Sequence, residues 1–282
     1  MDLLSLAKPT LRTNLANLLP KKFYKWLVWK WFSSEWPRHI HLELTTSCQL
    51  SCFHCPRPDK NEDMDYMLFR SIIDEASHYG PRSFSLHLFG EPLMYPRIIE
   101  AIEYIKMARK GNVVILTTNG LLLDQYESEL EENGVDKIIW TRREISKLFS
   151  SGVFRLLKKR GLIRIFPETT SYKEALKWKG YQREIKYLHN YGGTIPRPTR
   201  VQERYPCYHL WFSPAVRYNG DFTLCCNDPY GKLVLGKITK EHGVRYYWNS
   251  FLLHEARTLQ ASGNYKGACK NCNAWTTYPT FF

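Results

Sequence analysis

The sequence lacks the features that mark membrane-spanning and disulfide-rich proteins. No apolar run approaches the roughly 18 residues that a membrane span needs, and residues 1–10 lack the basic start and apolar core of a secretory signal. Eight cysteines among 282 residues are too few for a disulfide scaffold. We therefore expect a cytoplasmic protein, in whose reducing environment clustered cysteines bind metals or take part in chemistry.

Acidic residues are scarce relative to basic ones. The chain has 40 Lys and Arg against 27 Asp and Glu, a net charge of +13. This charge favours anionic partners such as nucleotides, phosphorylated sugars, acidic peptides, RNA or an anionic membrane, without choosing among them. No nucleic-acid-binding module is recognisable, so nucleic acid is not the expected partner. The content of hydrophobic residues, 44%, excludes a disordered chain.

Strand and helix patterns alternate from residue 39 onward. This order predicts βαβ units and hence an α/β fold with a parallel sheet, open or partly closed into a barrel. About five such units fit before residue 190, fewer than the eight of a full barrel. The predicted strands are 39–46, 83–90, 112–120, 135–141 and 161–166, and the predicted helices are 64–80, 95–111, 121–133 and one near 144–160.

The chain is predicted to have four parts. Residues 39–190 form the α/β domain, and the Gly- and Pro-rich stretch 191–206 reads as a linker. Residues 207–282 form a small α+β unit, with a hairpin at Asn219-Gly220 and a helix near 249–261. Residues 1–38 form a helical extension rich in bases and aromatics. We favour packing of this extension against the domain, and contact with a membrane surface is the alternative.

The first cysteine group lies directly after the first predicted strand. Cys48, Cys52 and Cys55 have the spacing C-x3-C-x2-C on one loop. Zinc sites normally pair cysteines as C-x2-C with four ligands in total. Three thiolates instead suit a cubane iron–sulfur cluster with one iron left open to a substrate or cofactor. A zinc site and three structural cysteines remain the alternatives.

This loop resembles that of the radical S-adenosylmethionine (radical SAM) enzymes, whose signature is C-x3-C-x-Φ-C after the first strand of a partial barrel. The resemblance covers roughly residues 39–275 and implies a partial (β/α)6-type TIM barrel. In that family the open iron binds S-adenosyl-L-methionine. Electron transfer from the reduced 4Fe–4S cluster then gives a 5′-deoxyadenosyl radical, which abstracts a hydrogen atom from the substrate.

Two later segments match motifs of the family in residue type and in their order along the chain. Phe89-Gly90-Glu91-Pro92 stands where the family has GGEP, with Phe89 replacing the first glycine, and Glu91 would accept from the cofactor's ammonium group. A Thr-Thr-Asn-Gly segment closes the third strand, where the family contacts ribose and carboxylate. The resemblance thus assigns cofactor binding to His54, Gly90, Glu91, Pro92, Thr117, Asn119, Gly120 and, on a loose match of the segment WTRR, Arg142.

The alternation of side chains along the predicted strands indicates further candidate site residues, independently of the family resemblance. His41, Glu43 and Thr45 share one face of the first predicted strand, and Ser85 and His87 share one face of the second. Helices cover the apolar faces, so we expect these polar sets to face the barrel lumen. A satisfied buried polar network is the alternative interpretation. His87 is a candidate catalytic residue, as acceptor of a substrate proton.

The second cysteine group lies in the C-terminal unit. Cys207, Cys225, Cys269 and Cys272 suit zinc or a 4Fe–4S cluster, and their spacing does not separate the two. Behind a radical SAM core they resemble the auxiliary-cluster domains called SPASM and, in its one-cluster form, twitch. Cys226 is the spare cysteine, and we expect Cys225 to be the ligand.

The resemblance implies an oxidoreductase with two 4Fe–4S clusters that completes a two-electron oxidation of a small polar sugar, aminocyclitol or nucleotide-like substrate. Its electron donor would be a flavodoxin or ferredoxin. One alternative is a maturase that oxidises or crosslinks a ribosomal peptide. The other is a zinc-binding, basic nucleic-acid module without catalysis.

Overall fold

The computed structural model describes residues 35–52, 55–142, 161–165, 207 and 209–272. Side chains of 142 and 161–165 are not described. The N-terminal extension up to residue 34, the predicted helix near 144–160 and the predicted linker 191–206 lie outside the described residues. In the described part, no helix has the length and apolar character that crossing a membrane requires.

Strands and helices alternate through the first half of the described chain, as predicted. The short strands of the second half follow one small helix, and two more helices come after them. The elements are β1 His39–Leu42, α1 Tyr66–His78, β2 Ser83–Ser85, a 3₁₀ turn Pro92–Met94, α2 Ile98–Ala108, β3 Val113–Thr118, α3 Leu123–Glu132, β4 Lys137–Arg142, β5 Gly161–Ile165, α4 His209–Phe212, β6 Ala215–Val216, β7 Asp221–Thr223, β8 Val234–Lys237, α5 Val244–Trp248, α6 Phe251–Ala261 and a 3₁₀ turn Gly267–Cys269.

These strands form one sheet of eight, in the order β5-β4-β3-β2-β1-β6-β7-β8. Strands β1 to β5 pair in parallel, and β6 adds to the other side of β1, also in parallel. Strands β7 and β8 continue the sheet in antiparallel fashion. The predicted α/β class and open partial barrel are confirmed, and the hairpin of the C-terminal unit extends the barrel's own sheet.

The two faces of β1 differ in chemistry. Ile40 and Leu42 belong to the hydrophobic core that helices α1 and α2 cover. His39 and His41 point to the opposite face because side chains alternate along a strand. The same alternation holds in β3, where Val114 and Leu116 join the core. The polar face of the sheet therefore lies away from the helices, toward the lumen.

Strands β1 and β2 are shorter than the sequence predicts. The prediction placed strands at 39–46 and 83–90, whereas the ladders end at Leu42 and Ser85. Beyond these points the backbone forms the loops that build the candidate site, and its N–H and C=O groups bond across loops. Glu91 N, for example, donates to Ser47 O at 2.7 Å.

One carboxylate joins the C-terminal helices to the barrel. Glu75 on α1 accepts hydrogen bonds from Val244 N at 2.7 Å and Arg245 N at 3.2 Å, the first two N–H groups of α5. These N–H groups have no partner within their own helix, so Glu75 satisfies them from a neighbouring element. The carboxylate also lies at the positive end of the helix dipole.

We expect Glu75→Ala to lower the free energy of unfolding by about 1–2 kcal/mol, because it leaves two helix N–H groups without an acceptor. Urea unfolding followed by circular dichroism measures this change. Glu103→Ala, on the exposed face of α2, is the matched control and should change stability by less than about 0.5 kcal/mol. Equal effects of the two substitutions would contradict the capping role.

Candidate active site

The loop after β1 carries Cys48, Cys52 and Cys55 and is closed at its base. Residues Thr45 and Asp63 form an antiparallel bridge across that base. Arg57 braces the loop by donating to Thr46 O at 3.0 Å and Lys60 O at 3.1 Å. Cys55 N donates to Cys52 O at 3.0 Å, a backbone bond that joins two of the cysteines. All three thiols are free and half-buried on one structured loop.

The surroundings of these thiols are short of compensating charge. Burial, with a smaller contribution from the nearby Cys48, raises the pKa of Cys55 to about 11, although a bond from the Arg57 backbone and the Arg57 charge lower it. Cys48 Sγ accepts from Leu50 N at 3.5 Å and from Asn119 Nδ2 at 3.8 Å. Thiolates become stable in such a place when a metal centre supplies positive charge. The donor set therefore fits a cluster.

The segment after β2 lies directly against the start of this loop. A Cβ atom on Gly90 would overlap Thr45 O, so only glycine permits this approach. Glu91 N then donates to Ser47 O at 2.7 Å, one residue before the first cysteine. These two contacts place Glu91 beside the cysteine loop.

The Glu91 carboxylate joins three segments. Its Oε2 accepts from Asn119 N at 2.7 Å, and its Oε1 accepts from Thr118 Oγ1 at 2.7 Å and Leu93 N at 3.2 Å. Burial raises its pKa to about 7, although the bonds from Asn119, Thr118 and Leu93 lower it. The group is thus poised between acid and carboxylate near neutral pH, and a cationic ligand would favour the ionised form.

The end of β3 completes this corner of the site. Asn119 Nδ2 reaches Gln49 Oε1 at 3.2 Å as well as Cys48 Sγ. Gly120 adopts φ +85°, and any side chain there would overlap the Trp140 indole. Trp140 Nε1 donates to Asn119 O at 3.3 Å. The close approach of these groups fixes the asparagine toward the cysteine loop.

The polar face of the sheet continues from this corner into the lumen. The rings of His39 and His41 lie 4.5 Å apart, and those of His41 and His87 lie 5.9 Å apart. Burial lowers the pKa of His39 to about 3 and that of His41 well below its usual range. Glu43, fully buried, faces Arg217 Nε at 3.6 Å. Of the residues predicted to face the lumen, His41 and His87 therefore lie near each other.

The four cysteines of the second group line one cavity. Cys207, Cys225, Cys269 and Cys272 all contribute to its wall, together with Gln260. Burial and the neighbouring thiols raise the pKa of Cys207 well above its usual value. Cys207 N donates to Gln260 Oε1 at 3.2 Å, which fixes the backbone of this ligand candidate. A cluster would stabilise the four thiolates that otherwise repel one another.

A single metal ion needs ligand atoms that lie close to one another. Sulfurs around one zinc ion, each at about 2.3 Å, lie within about 4 Å of one another. Among the described residues, only His209, Cys225 and Cys226 have three ligand atoms within 4.8 Å. Neither predicted cysteine set meets that limit. Cys226 itself contacts His209 Nδ1 at 3.8 Å and does not line the cavity of the four cysteines.

The remaining sequence candidates are placed as follows. His54 lies outside the described residues, and Arg142 is described only as the last residue of β4. Pro92 begins the 3₁₀ turn whose N-cap is Glu91. Thr118, which the sequence reasoning did not assign, contacts Glu91, whereas Thr117 belongs to the lumen face.

The sequence analysis did not assign roles to several residues that the structure brings to the two sites. Gln49 directly follows Cys48 in the sequence, so its position on the cysteine loop could have been predicted. Arg217 and Gln260 reach their sites only through the tertiary fold, and no local pattern marks them. These unassigned residues are Gln49, His209, Arg217, Asn227 and Gln260.

The cysteine groups coincide with two protein-family matches. Residues 42–139 match the radical SAM superfamily. Residues 207–273 match SPASM, an iron–sulfur cluster-binding domain. The first match contains the three-cysteine loop and the ends of β2 and β3, and the second contains the four-cysteine cavity.

Curated relatives match a little over a third of the chain. A probable GTP 3′,8-cyclase of Methanococcus maripaludis is 31% identical over 105 residues, 36% of this chain and 35% of the relative. A tungsten-containing aldehyde ferredoxin oxidoreductase cofactor-modifying protein of Pyrococcus furiosus is 34% identical over 110 residues, 37% of this chain and 30% of the relative. The match thus spans about a third of each relative's length.

Solved structures match over most of the chain and share its fold. BtrN in complex with AdoMet and 2-DOIA has 22% identity and a TM-score of 0.67, covering 84% of this chain and 92% of that chain. The enzyme anSMEcpe with bound AdoMet has 16% identity and a TM-score of 0.53, covering 80% and 84%. With both domain matches in the expected order, this chain belongs to the radical SAM enzymes that carry a C-terminal SPASM cluster-binding domain.

Proposed function

We propose that the protein is a radical SAM oxidoreductase that removes two electrons and two hydrogens from a small polar substrate. The observation that carries this proposal is the convergence of Glu91 and Asn119, from two successive strand ends, on the three-cysteine loop. Membership in this enzyme family excludes the alternative of a zinc-binding nucleic-acid module without catalysis.

The cysteine loop and its neighbours would hold the first cluster and the S-adenosyl-L-methionine. Cys48, Cys52 and Cys55 supply three thiolates and leave one iron for the cofactor. The Glu91 carboxylate would accept from the cofactor's ammonium group, and Asn119 would contact the cofactor's carboxylate or ribose. When bound, the cofactor and the reduced cluster supply a radical that abstracts a hydrogen atom from the substrate.

The four-cysteine cavity would hold the second cluster. Cys207, Cys225, Cys269 and Cys272 leave no open iron, so this cluster supplies a one-electron acceptor rather than a binding site for the substrate. A substrate that has lost a hydrogen atom is oxidised fully when it also gives up one electron and one proton. His87 on the lumen face is the candidate proton acceptor, and a flavodoxin or ferredoxin is the proposed electron donor.

The substrate classes proposed are sugars, aminocyclitols and nucleotide-like molecules. BtrN, whose fold this chain shares over most of its length, binds AdoMet and 2-DOIA. The curated relatives named GTP 3′,8-cyclases match over about a third of this chain. We therefore favour a small polar ligand, and we retain a peptide substrate as the second candidate because anSMEcpe has been solved with a bound peptide.

We expect Cys52→Ala to abolish reductive cleavage of S-adenosyl-L-methionine, because two thiolates do not hold a cubane with an open corner. Anaerobically reconstituted protein is incubated with dithionite, and 5′-deoxyadenosine is measured by chromatography. The variant should hold about four irons per chain instead of about eight. Cys226→Ala is the matched control and should keep the full iron content. Cleavage at the wild-type rate by Cys52→Ala would contradict the assignment of the loop.

Cys269→Ala should leave the cleavage of S-adenosyl-L-methionine intact and stop the oxidation of the substrate. It is expected to lose about four irons per chain while 5′-deoxyadenosine still forms, because the first cluster is intact. Transfer of deuterium from a labelled substrate into 5′-deoxyadenosine should continue, and the oxidised product should not accumulate. Full product formation by this variant would refute the electron-acceptor role of the second cluster.

The affinity for S-adenosyl-L-methionine should rise with pH until Glu91 is ionised. The Glu91 pKa is raised to about 7, so below that pH the group is a neutral acid and must lose its proton before it accepts strongly from an ammonium group. We expect about a tenfold gain in affinity per pH unit below 7 and a plateau above it. Equilibrium dialysis of the reconstituted protein measures this profile.

Glu91→Gln isolates the contribution of this carboxylate from the titration of the cofactor's own amine. The variant should bind more weakly at pH 8, and its profile should lack the rise that the wild-type protein shows below pH 7. Identical profiles for both proteins would show that Glu91 does not contact the ammonium group.

A further inference from the structure

On the polar face, four residues at the carboxyl ends of four neighbouring strands form a row across the lumen. Strands β1, β2, β3 and β6 are in register at His41, Ser85, Ile115 and Ala215. Continued two residues beyond this level, past the last paired residues of β1, β2 and β6, this register aligns Arg217, Glu43, His87 and Thr117. The bond from Leu86 N to Ile115 O at 3.0 Å carries the β2–β3 pairing toward this level. The bond from Glu43 N to Val216 O at 2.9 Å carries the β1–β6 pairing to this level.

The carboxylate in this row is buried without full compensation. Glu43 has no exposed side-chain surface, and neither of its oxygens has a hydrogen bond of good geometry to a described residue. Arg217 Nε lies at 3.6 Å, beyond hydrogen-bond distance. Burial raises the pKa of Glu43, and Arg217 together with the N–H groups of Tyr218 and Phe89 opposes that rise.

Two hydroxyl groups on the same face also lack partners. Thr117 Oγ1, in the same row, and Ser85 Oγ, one row deeper, are buried with no hydrogen-bond partner among the described residues. Unsatisfied buried polar atoms cost free energy, so several of them on one face point to a ligand that supplies the missing bonds.

We propose that Glu43, Arg217, Ser85 and Thr117 bind the substrate, and that the substrate is a hydroxyl-rich ring that is uncharged or carries one ammonium group. This inference rests on the proposed function and narrows its substrate class. Two neighbouring hydroxyls, or a hydroxyl and an ammonium group, donate to the Glu43 carboxylate, and Arg217 donates to a hydroxyl oxygen. A phosphorylated ligand is disfavoured because its charge would face the Glu43 carboxylate.

The position of the row suits a substrate of the first cluster. Glu43 is close enough to Cys55 for its charge to affect that thiol. Its strand leads directly into the cysteine loop, which begins five residues further along the chain at Cys48. A ring held at Glu43 is therefore below the corner where Glu91 and Asn119 meet the loop, within the same lumen.

Three rings that differ only in charge test this site. The reconstituted protein with S-adenosyl-L-methionine is titrated calorimetrically with myo-inositol, scyllo-inosamine and myo-inositol 1-phosphate. We expect the inosamine to bind best, inositol less tightly, and the phosphate at least about tenfold more weakly than inositol. Tightest binding of the phosphate, or no binding of either unphosphorylated ring, would overturn the proposal.

Glu43→Gln keeps the side-chain shape and removes the charge. It should weaken scyllo-inosamine binding by about 10- to 100-fold and myo-inositol binding by about fivefold, as expected for one charge-assisted and one neutral hydrogen bond. Thr117→Val removes one hydroxyl without touching the ion pair and should weaken both by about fivefold. The Thr117→Val variant keeps the test valid if Glu43→Gln does not fold. Glu100→Gln, on the surface of α2, is the control and should bind as the wild type.

Binding and stability measurements on Glu43→Gln separate a role of Glu43 in ligand binding from other roles of this residue. A Glu43→Gln protein that loses thermal stability but binds the rings with wild-type affinity would show a purely structural pair. Equal losses of inosamine and S-adenosyl-L-methionine affinity would place Glu43 in the cofactor site instead. Failure of the wild type to form 5′-deoxyadenosine with dithionite would refute the proposed function, and the ring titrations are read independently of that result.

Discussion

The structure of the site depends on the approach of the segment after β2 to the cysteine loop. Gly90 lets the two backbones touch at Thr45, and the bond from Glu91 N to Ser47 O joins them. The buried Glu91 carboxylate then connects both segments to the end of β3 through Asn119 N. Together with the bonds that close the base of the cysteine loop, these contacts fix where the loop lies relative to the strands.

The polar lumen face explains why the fold needs so extensive a core on its other side. A buried carboxylate at 3.6 Å from a guanidinium adds little stability, and hydroxyls that lack hydrogen-bond partners in the described part of the chain also add little. The helix-facing side compensates with fully buried residues from both β1 and β3, such as Ile40 and Leu116. Burial of apolar surface stabilises the domain by roughly 25 cal/mol per Å². Stability and ligand recognition are thus carried by opposite faces of one sheet.

Much of this arrangement could be predicted from the sequence, because it follows from local patterns. Alternation along β1 predicted that His41 and Glu43 share a face, and the order of strands and helices predicted the parallel sheet. The extension of that sheet by β6 could not be predicted, since two residues carry no distinctive pattern and their pairing with β1 depends on chain folding over more than 170 residues. The contact between Glu43 and Arg217 was unpredictable for the same reason. Sequence alone could not show whether Thr117 or Thr118 contacts Glu91, because that depends on which face of β3 meets Glu91.

The direction of β6 and β7 determines how the two cysteine groups relate. Strand β6 runs parallel to β1, so Cys207, which precedes it, lies toward the amino ends of the parallel strands. Cys225 follows β7, which is antiparallel to β6, and therefore lies at the same end. The three-cysteine loop lies at the opposite, carboxyl end of β1. The electrostatic influence of His209 on His39 and His41 agrees with this placement. A ring bound at Glu43 is thus between the two cysteine groups, which is where a substrate must be if one group starts its oxidation and the other accepts the second electron.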